Sequence, residues 1–200
     1  MRRAVAIIGT GGGTAMAAAG WAVAALVPGM TGHMAGHMLL VAVAAPMLAA
    51  GLHGGRWDPT RRGGPLASPL AMSVVELVVV WSWHLPAMRR LADGSAAMLA
   101  GEQASFLLVG TALWAAALRR PAAGVGALLL TSMHMTLLGA LIGLAPRPLY
   151  MEHAASGGLT PLADQQLGGV VMLTVGGAAY LLGGLALLGG LLRERREVAA

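Results

Sequence analysis

Six apolar runs, separated by short polar or Gly- and Pro-rich segments, take up most of the chain. They cover residues 4–27, 34–52, 69–86, 102–118, 122–145 and 164–192. Their lengths reach or exceed the roughly 17–25 residues that cross a hydrocarbon core about 30 Å thick at about 1.5 Å per helical residue. No strand-like alternation separates them. The pattern predicts an all-α fold, a polytopic membrane bundle of about six helices forming one integral membrane domain over residues 1–200. No internal repeat divides it. Pro46 sits inside the second run and predicts a kink or a released carbonyl there. Thr160-Pro161 predicts the start of the last helix. Ala87 to Gly101 predicts a polar loop.

The first run admits two readings, a cleaved signal peptide or a retained helix. Its length exceeds that of a usual signal h-region and favours the retained helix. With the N-terminus inside, ten of the thirteen Arg residues fall on the inner side: Arg2, Arg3, Arg56, Arg61, Arg62, Arg119, Arg120, Arg193, Arg195 and Arg196. Only Arg89, Arg90 and Arg147 fall outside. The positive-inside rule therefore places both ends in the cytoplasm. Trp21, Trp81 and Trp83 then lie near the outer interface, and Trp57 and Trp114 near the inner one.

Composition agrees with the pattern. The chain is 57% hydrophobic and 10% charged, against about 25% charged in soluble domains. The net charge of +5 follows topology and predicts no nucleic-acid binding. Zero Cys excludes disulfides and thiolate metal sites. There is no Ser-centred elbow, P-loop or dinucleotide fingerprint, and Gly11-Gly12-Gly13 lies within a span.

The polar residues inside the apolar pattern carry the chemistry. Met30 to Met38 reads M-T-G-H-M-A-G-H-M. On a helix His33 and His37 lie about 40° apart, and Met34 and Met38 widen the arc to roughly 140°. Imidazole and thioether together suit copper, above all Cu(I), and make His33, His37, Met34 and Met38 candidate ligands. His84 in W-S-W-H-L-P and His134 in Met133-His134-Met135 would complete or relay such a site. On a helix Met133 and Met135 point apart, so at most one shares a ligand face. Glu76 and His134 lie at similar depth, which permits a direct pair. Met151-Glu152-His153 is a candidate capture point in the outer loop. Gly169, Gly176, Gly183 and Gly190 recur every seven residues and predict a tight contact, within the bundle or to a partner.

Several blocks together are similar to the CtaG family of bacterial cytochrome c oxidase assembly factors. They are H-M-x-x-H-M-L-L with a following A-P, then W-H-L-P, E-Q-A-S-F-L-L, A-P-R-P-L-Y and L-T-P-L-A-D-Q-Q-L-G-G-V-V-M. The resemblance runs from about Gly32 to the last helix. It implies a multi-pass inner-membrane protein that matures a haem-copper oxidase, with copper delivery or insertion as its task. It implies an oxidase subunit or a periplasmic copper carrier as partner, beside membrane lipid. It also implies that His33, His37, His84, His134 and Asp164 match the family's polar positions. Glu102 is kept, whereas Gln103 stands where the family often has His. The rival reading from another class is a haem b protein using His37, His84 and His134; a third is a structural accessory subunit.

Overall fold

Proline and hydroxyl side chains set where the helices begin. In the computed structural model, which describes residues 2–61, 63–64, 68–150 and 158–199, the elements are α1 Arg2–Leu26, α2 Gly29–Met38, α3 Ala45–Leu52, α4 Pro69–Trp83, α5 Pro86–Gly94, α6 Ala96–Arg119, α7 Pro121–Gly143, α8 Pro161–Val171 and α9 Gly177–Ala199. Pro opens α4, α5, α7 and α8, where its missing N–H is no loss. Ser68 and Thr160 cap α4 and α8 by accepting from Ala71 N at 3.4 Å and Ala163 N at 3.2 Å. No strand occurs among the described residues.

Two π-helical segments join the shorter pieces into long rods. Leu39–Ala44 links α2 to α3, and Met172–Gly176 links α8 to α9. The first precedes Pro46 for a stereochemical reason. In a π register the N–H of residue 46 would seek the carbonyl of Val41, five residues back. Proline has no such N–H. The Val41 carbonyl accepts instead from Trp114 Nε1 at 3.3 Å, with Tyr180 Oη 3.4 Å away. The released carbonyl is therefore present, and it ties three spans together.

Five rods are long and apolar enough to cross a membrane, and a sixth results if α4 and α5, bent by 72°, count as one. The all-α bundle of about six spans is thus present, with shifted limits. The second span starts at Gly29 rather than 34, the fourth at Ala96 rather than 102, and the last runs Pro161–Ala199 rather than 164–192. The expected loop Ala87 to Gly101 is mostly helix, because α5 continues after Pro86 and Ser95 caps α6. Its turns carry Arg89 and Ala92 inward and Arg90 and Leu91 outward.

Packing follows the small residues. α1 lies along α2 and α3, α2 against α8, α4 against α6 and α7, and α7 against α9. Gly9 and Gly51 approach so closely that a Cβ on Gly9 would stand 2.7 Å from the Gly51 Cα. Gly20 and Gly36 face each other in the same way. The core is rich in Met: Met30, Met34, Met38, Met72, Met135 and Met172 are all buried, whereas Met133 faces outward. Val74, Val78, Leu108, Leu137, Leu141 and Leu182 are exposed, the surface expected to meet lipid. Trp114 departs from its expected interfacial place. It stacks on Tyr180 with ring centroids 5.5 Å apart, inside the core.

Candidate metal centre

His33, His37 and His84 meet at one end of the bundle. The first two follow from helical spacing on α2, and their rings stack with centroids 6.3 Å apart. The third comes from the C-terminal turn of α4, its ring 5.2 Å from that of His33 and 5.4 Å from that of His37. Phe106 of α6 backs all three, edge-on to His37 at 4.0 Å. All three imidazoles are buried.

Hydrogen-bond partners fix two of the tautomers. Arg89 Nη1 lies 2.6 Å from His33 Nδ1. A guanidinium can only donate, so Nδ1 accepts and a neutral His33 carries its proton on Nε2. His84 Nδ1 lies 2.6 Å from the Val80 carbonyl. The carbonyl can only accept, so His84 carries its proton on Nδ1 and presents a lone pair at Nε2. The two Nε2 atoms are 3.4 Å apart, with His33 donating. His37 differs. Both its ring nitrogens are buried and have no partner among the described residues.

Arg89 is the residue that sequence reading assigned to a loop. It is buried, with Nη1 2.7 and 2.8 Å from the two oxygens of Glu102, and Nε and Nη2 3.0 and 2.6 Å from Asp93 Oδ1. The Arg89–Asp93 spacing of four residues was a sequence signal that α5 continues as a helix. Gln103 donates to Glu102 at 3.3 Å, so the position without imidazole still serves the carboxylate. An open groove of about 420 Å³ leads from the surface to His33 and Arg89, lined also by Pro28, Gly29, Asp93 and Ser95.

Asp164 supports this centre from a distance. Its carboxylate accepts from Met30 N at 2.5 Å and Thr31 N at 3.4 Å, and Thr31 Oγ1 donates back to the Asp164 carbonyl at 3.0 Å. It thereby caps the N-terminus of α2, the helix that carries both His33 and His37; Pro28 at the cap position has no side-chain acceptor. Gln165, missed in the sequence, accepts from Leu149 N at 2.6 Å and donates to the Ile142 carbonyl at 3.1 Å. Tyr150 donates to the His84 carbonyl at 2.7 Å. The D-Q-Q and A-P-R-P-L-Y blocks thus buttress the histidines.

Other expected members stand apart. Met30 and Met38 pack against Gly168 and Gly176 of the last rod. Met34, fully buried, belongs to the same four-residue row. His134 joins none of the ring contacts, and its two nitrogens have no hydrogen-bond partner among the described residues. The permitted Glu76–His134 pair is not formed. Glu76 accepts instead from Tyr180 Oη at 2.5 Å, and its second oxygen has no partner among the described residues. His153, Met151 and Glu152 lie outside the described residues.

The glycine stripe serves internal packing for three of its four members. Gly169 meets the Gly143 and Gly139 backbones, Gly176 meets Met38, and Gly183 meets the Trp114 ring. Gly190 has nothing within 4 Å of a built Cβ.

The centre fits a soft or borderline cation in part. Nitrogens bound to one tetrahedral ion at about 2.0–2.1 Å stand about 3.4 Å apart, and the two Nε2 atoms have that spacing. The unpartnered His37 adds a third imidazole. Even so, among the described residues no group of three or more His, Asp or Glu stands ready as a metal site. Both ring nitrogens of His33 are engaged, Nε2 toward His84 and Nδ1 by Arg89.

A family model described as cytochrome c oxidase caa3 assembly factor matches residues 2–194. No curated protein and no solved structure matches the chain.

Proposed function

The chain belongs to the family of cytochrome c oxidase caa3 assembly factors, a family of maturation proteins rather than catalytic enzymes, and on that premise we propose that it carries copper to a haem-copper oxidase. The ion is cargo. His37 and His84 take it first, His33 joins them, and Met34 and Met38 on the adjoining flank offer soft donors for Cu(I). His134 stands one span away as a relay. Asp164 and Glu102 orient the set, since outer partners hold ligand rings in place. On this reading, which the positive-inside count supports, the groove faces the periplasm across a bacterial inner membrane, where an oxidase subunit or a copper carrier would meet it.

His37 is the observation that carries this reading. A buried imidazole with neither nitrogen satisfied costs roughly 1–3 kcal/mol. Such groups are rare in stable folds and mark functional places. Here the orphan lies in ring contact with two further histidines. A set held partly by hydrogen bonds binds an ion yet lets it leave, which a donor requires.

The test is oxidase activity in a deletion strain complemented with His37→Ala. Activity should fall at low copper and return when copper is added. Full activity at low copper would exclude a ligand role for His37 and favour the accessory-subunit reading. Elemental analysis of the purified protein should find copper, and its spectrum should lack a Soret band.

A further inference from the structure

Arg89 places a permanent cation within hydrogen-bonding distance of the candidate centre. Its Nη1 faces both His33 Nδ1 and the Glu102 carboxylate, while Nε and Nη2 rest on Asp93. Consider an ion binding a neutral His33. If Nδ1 ligates, Arg89 must leave that nitrogen directly. If Nε2 ligates, the ring proton must move to Nδ1, and two donors then face each other. Either way the Arg89–His33 bond cannot survive ligation.

We propose that Arg89 is a displaceable internal cation that holds His33 out of the ligand set until an ion arrives. His84 is already in the ligating tautomer and His37 is unpartnered, so these two receive the ion first. Arg89 then gives up His33 and keeps Asp93, to which Nε and Nη2 are already bonded. Asp93 lines the groove, with a third of its side chain exposed, so the guanidinium has a route outward. Arg89 is thus a positioning residue that sets when the site is complete. This inference rests on the metal-carrier reading above.

The experiment uses the purified full-length chain in detergent, with Ag(I) as a stable stand-in for Cu(I). Arg89→Met combined with Glu102→Gln removes the ion pair together and avoids a lone buried charge. It should bind Ag(I) about tenfold or more tightly than the unmodified chain, the scale of one lost charge-assisted hydrogen bond. Adding His33→Ala should cancel that gain. Arg89→Lys, which keeps a cation opposite Glu102, should show a smaller gain and serves if the double variant fails to fold. Nitrogen NMR of labelled histidine should find the metal-free His33 protonated on Nε2, and Ag(I) should change that state. A His33 protonated on Nδ1 without metal overturns the inference, as does a double variant that binds no more tightly, or a gain that survives His33→Ala. The carrier reading fails separately: Ag(I) binding that is absent, or indifferent to His37→Ala, removes it and this inference with it.

Discussion

At the scale of the residue, the centre is held by contacts between positions far apart in the chain. Spacing alone placed His33 and His37 on one helical face. His84 could be suspected from its position at the end of a span, but no local pattern reveals Arg89 or Phe106 as its company. Asp164 was named by resemblance, and its role emerges only from contact: it caps a helix 134 positions away in sequence. Asp164→Ala removes two charge-assisted bonds to backbone N–H groups and should lower stability by about 1–3 kcal/mol, read as a lower thermal midpoint in detergent. Asp164→Asn, which keeps one acceptor oxygen, should lose less. Outside the spans, Asp58 behaves as a loop clasp. Burial would raise its pKa, but hydrogen bonds from Thr60 Oγ1, Gly54 N and Thr60 N outweigh that and hold it below the ordinary value. A depressed carboxyl contributes stability above its unfolded pKa of about 3.9 and loses it as pH falls through the folded value. Asp58→Asn should therefore melt below the unmodified chain at pH 7, with the gap closing below about pH 4.

At the scale of the element, hydrophobic runs gave existence and kind but misjudged the ends. Apolar windows overlook a polar first turn that neighbours bury, as with Gly29 to His33, and the apolar but largely exposed Ala96 to Gly101 was absorbed into the preceding loop. The amphipathic α5 escaped because a span was expected to end at a proline, whereas Pro86 starts a new helix at 72°. The glycine heptad was visible, yet its meaning depended on what each glycine touches. A Cβ on Gly169 would lie 2.5 Å from Gly143 N and 2.7 Å from the Gly139 carbonyl oxygen, whereas one on Gly190 meets nothing. Gly169→Ala should thus destabilise the bundle by about 1–3 kcal/mol, the usual scale of overpacking. Gly190→Ala should be neutral or stabilising by up to about 1 kcal/mol, since alanine is the better helix former. Thermal midpoints of the two variants decide it. Equal losses would mean that Gly190 also meets a neighbour, as a partner-binding stripe requires.

At the scale of the whole molecule, topology and charge must agree on which side the histidines face. The orientation rested on counting Arg residues, and the fold removes one of them from that count. Arg89 is buried against Glu102 and Asp93, so it is no loop charge. Of the three Arg residues expected outside, only Arg90 and Arg147 remain as topogenic charges, and the bias toward a cytoplasmic N-terminus grows. The chain has no Cys, so single substitutions report sidedness without a background. Gly94, at the groove end, is exposed, and a Cβ there meets nothing within 4 Å. Trp57, 69% exposed, marks the opposite end. In intact spheroplasts a membrane-impermeant maleimide should label Gly94→Cys and spare Trp57→Cys until the membrane is broken. The reverse pattern would turn the groove to the cytoplasm. Copper would then have to arrive from inside the cell, and a periplasmic carrier could not reach His37.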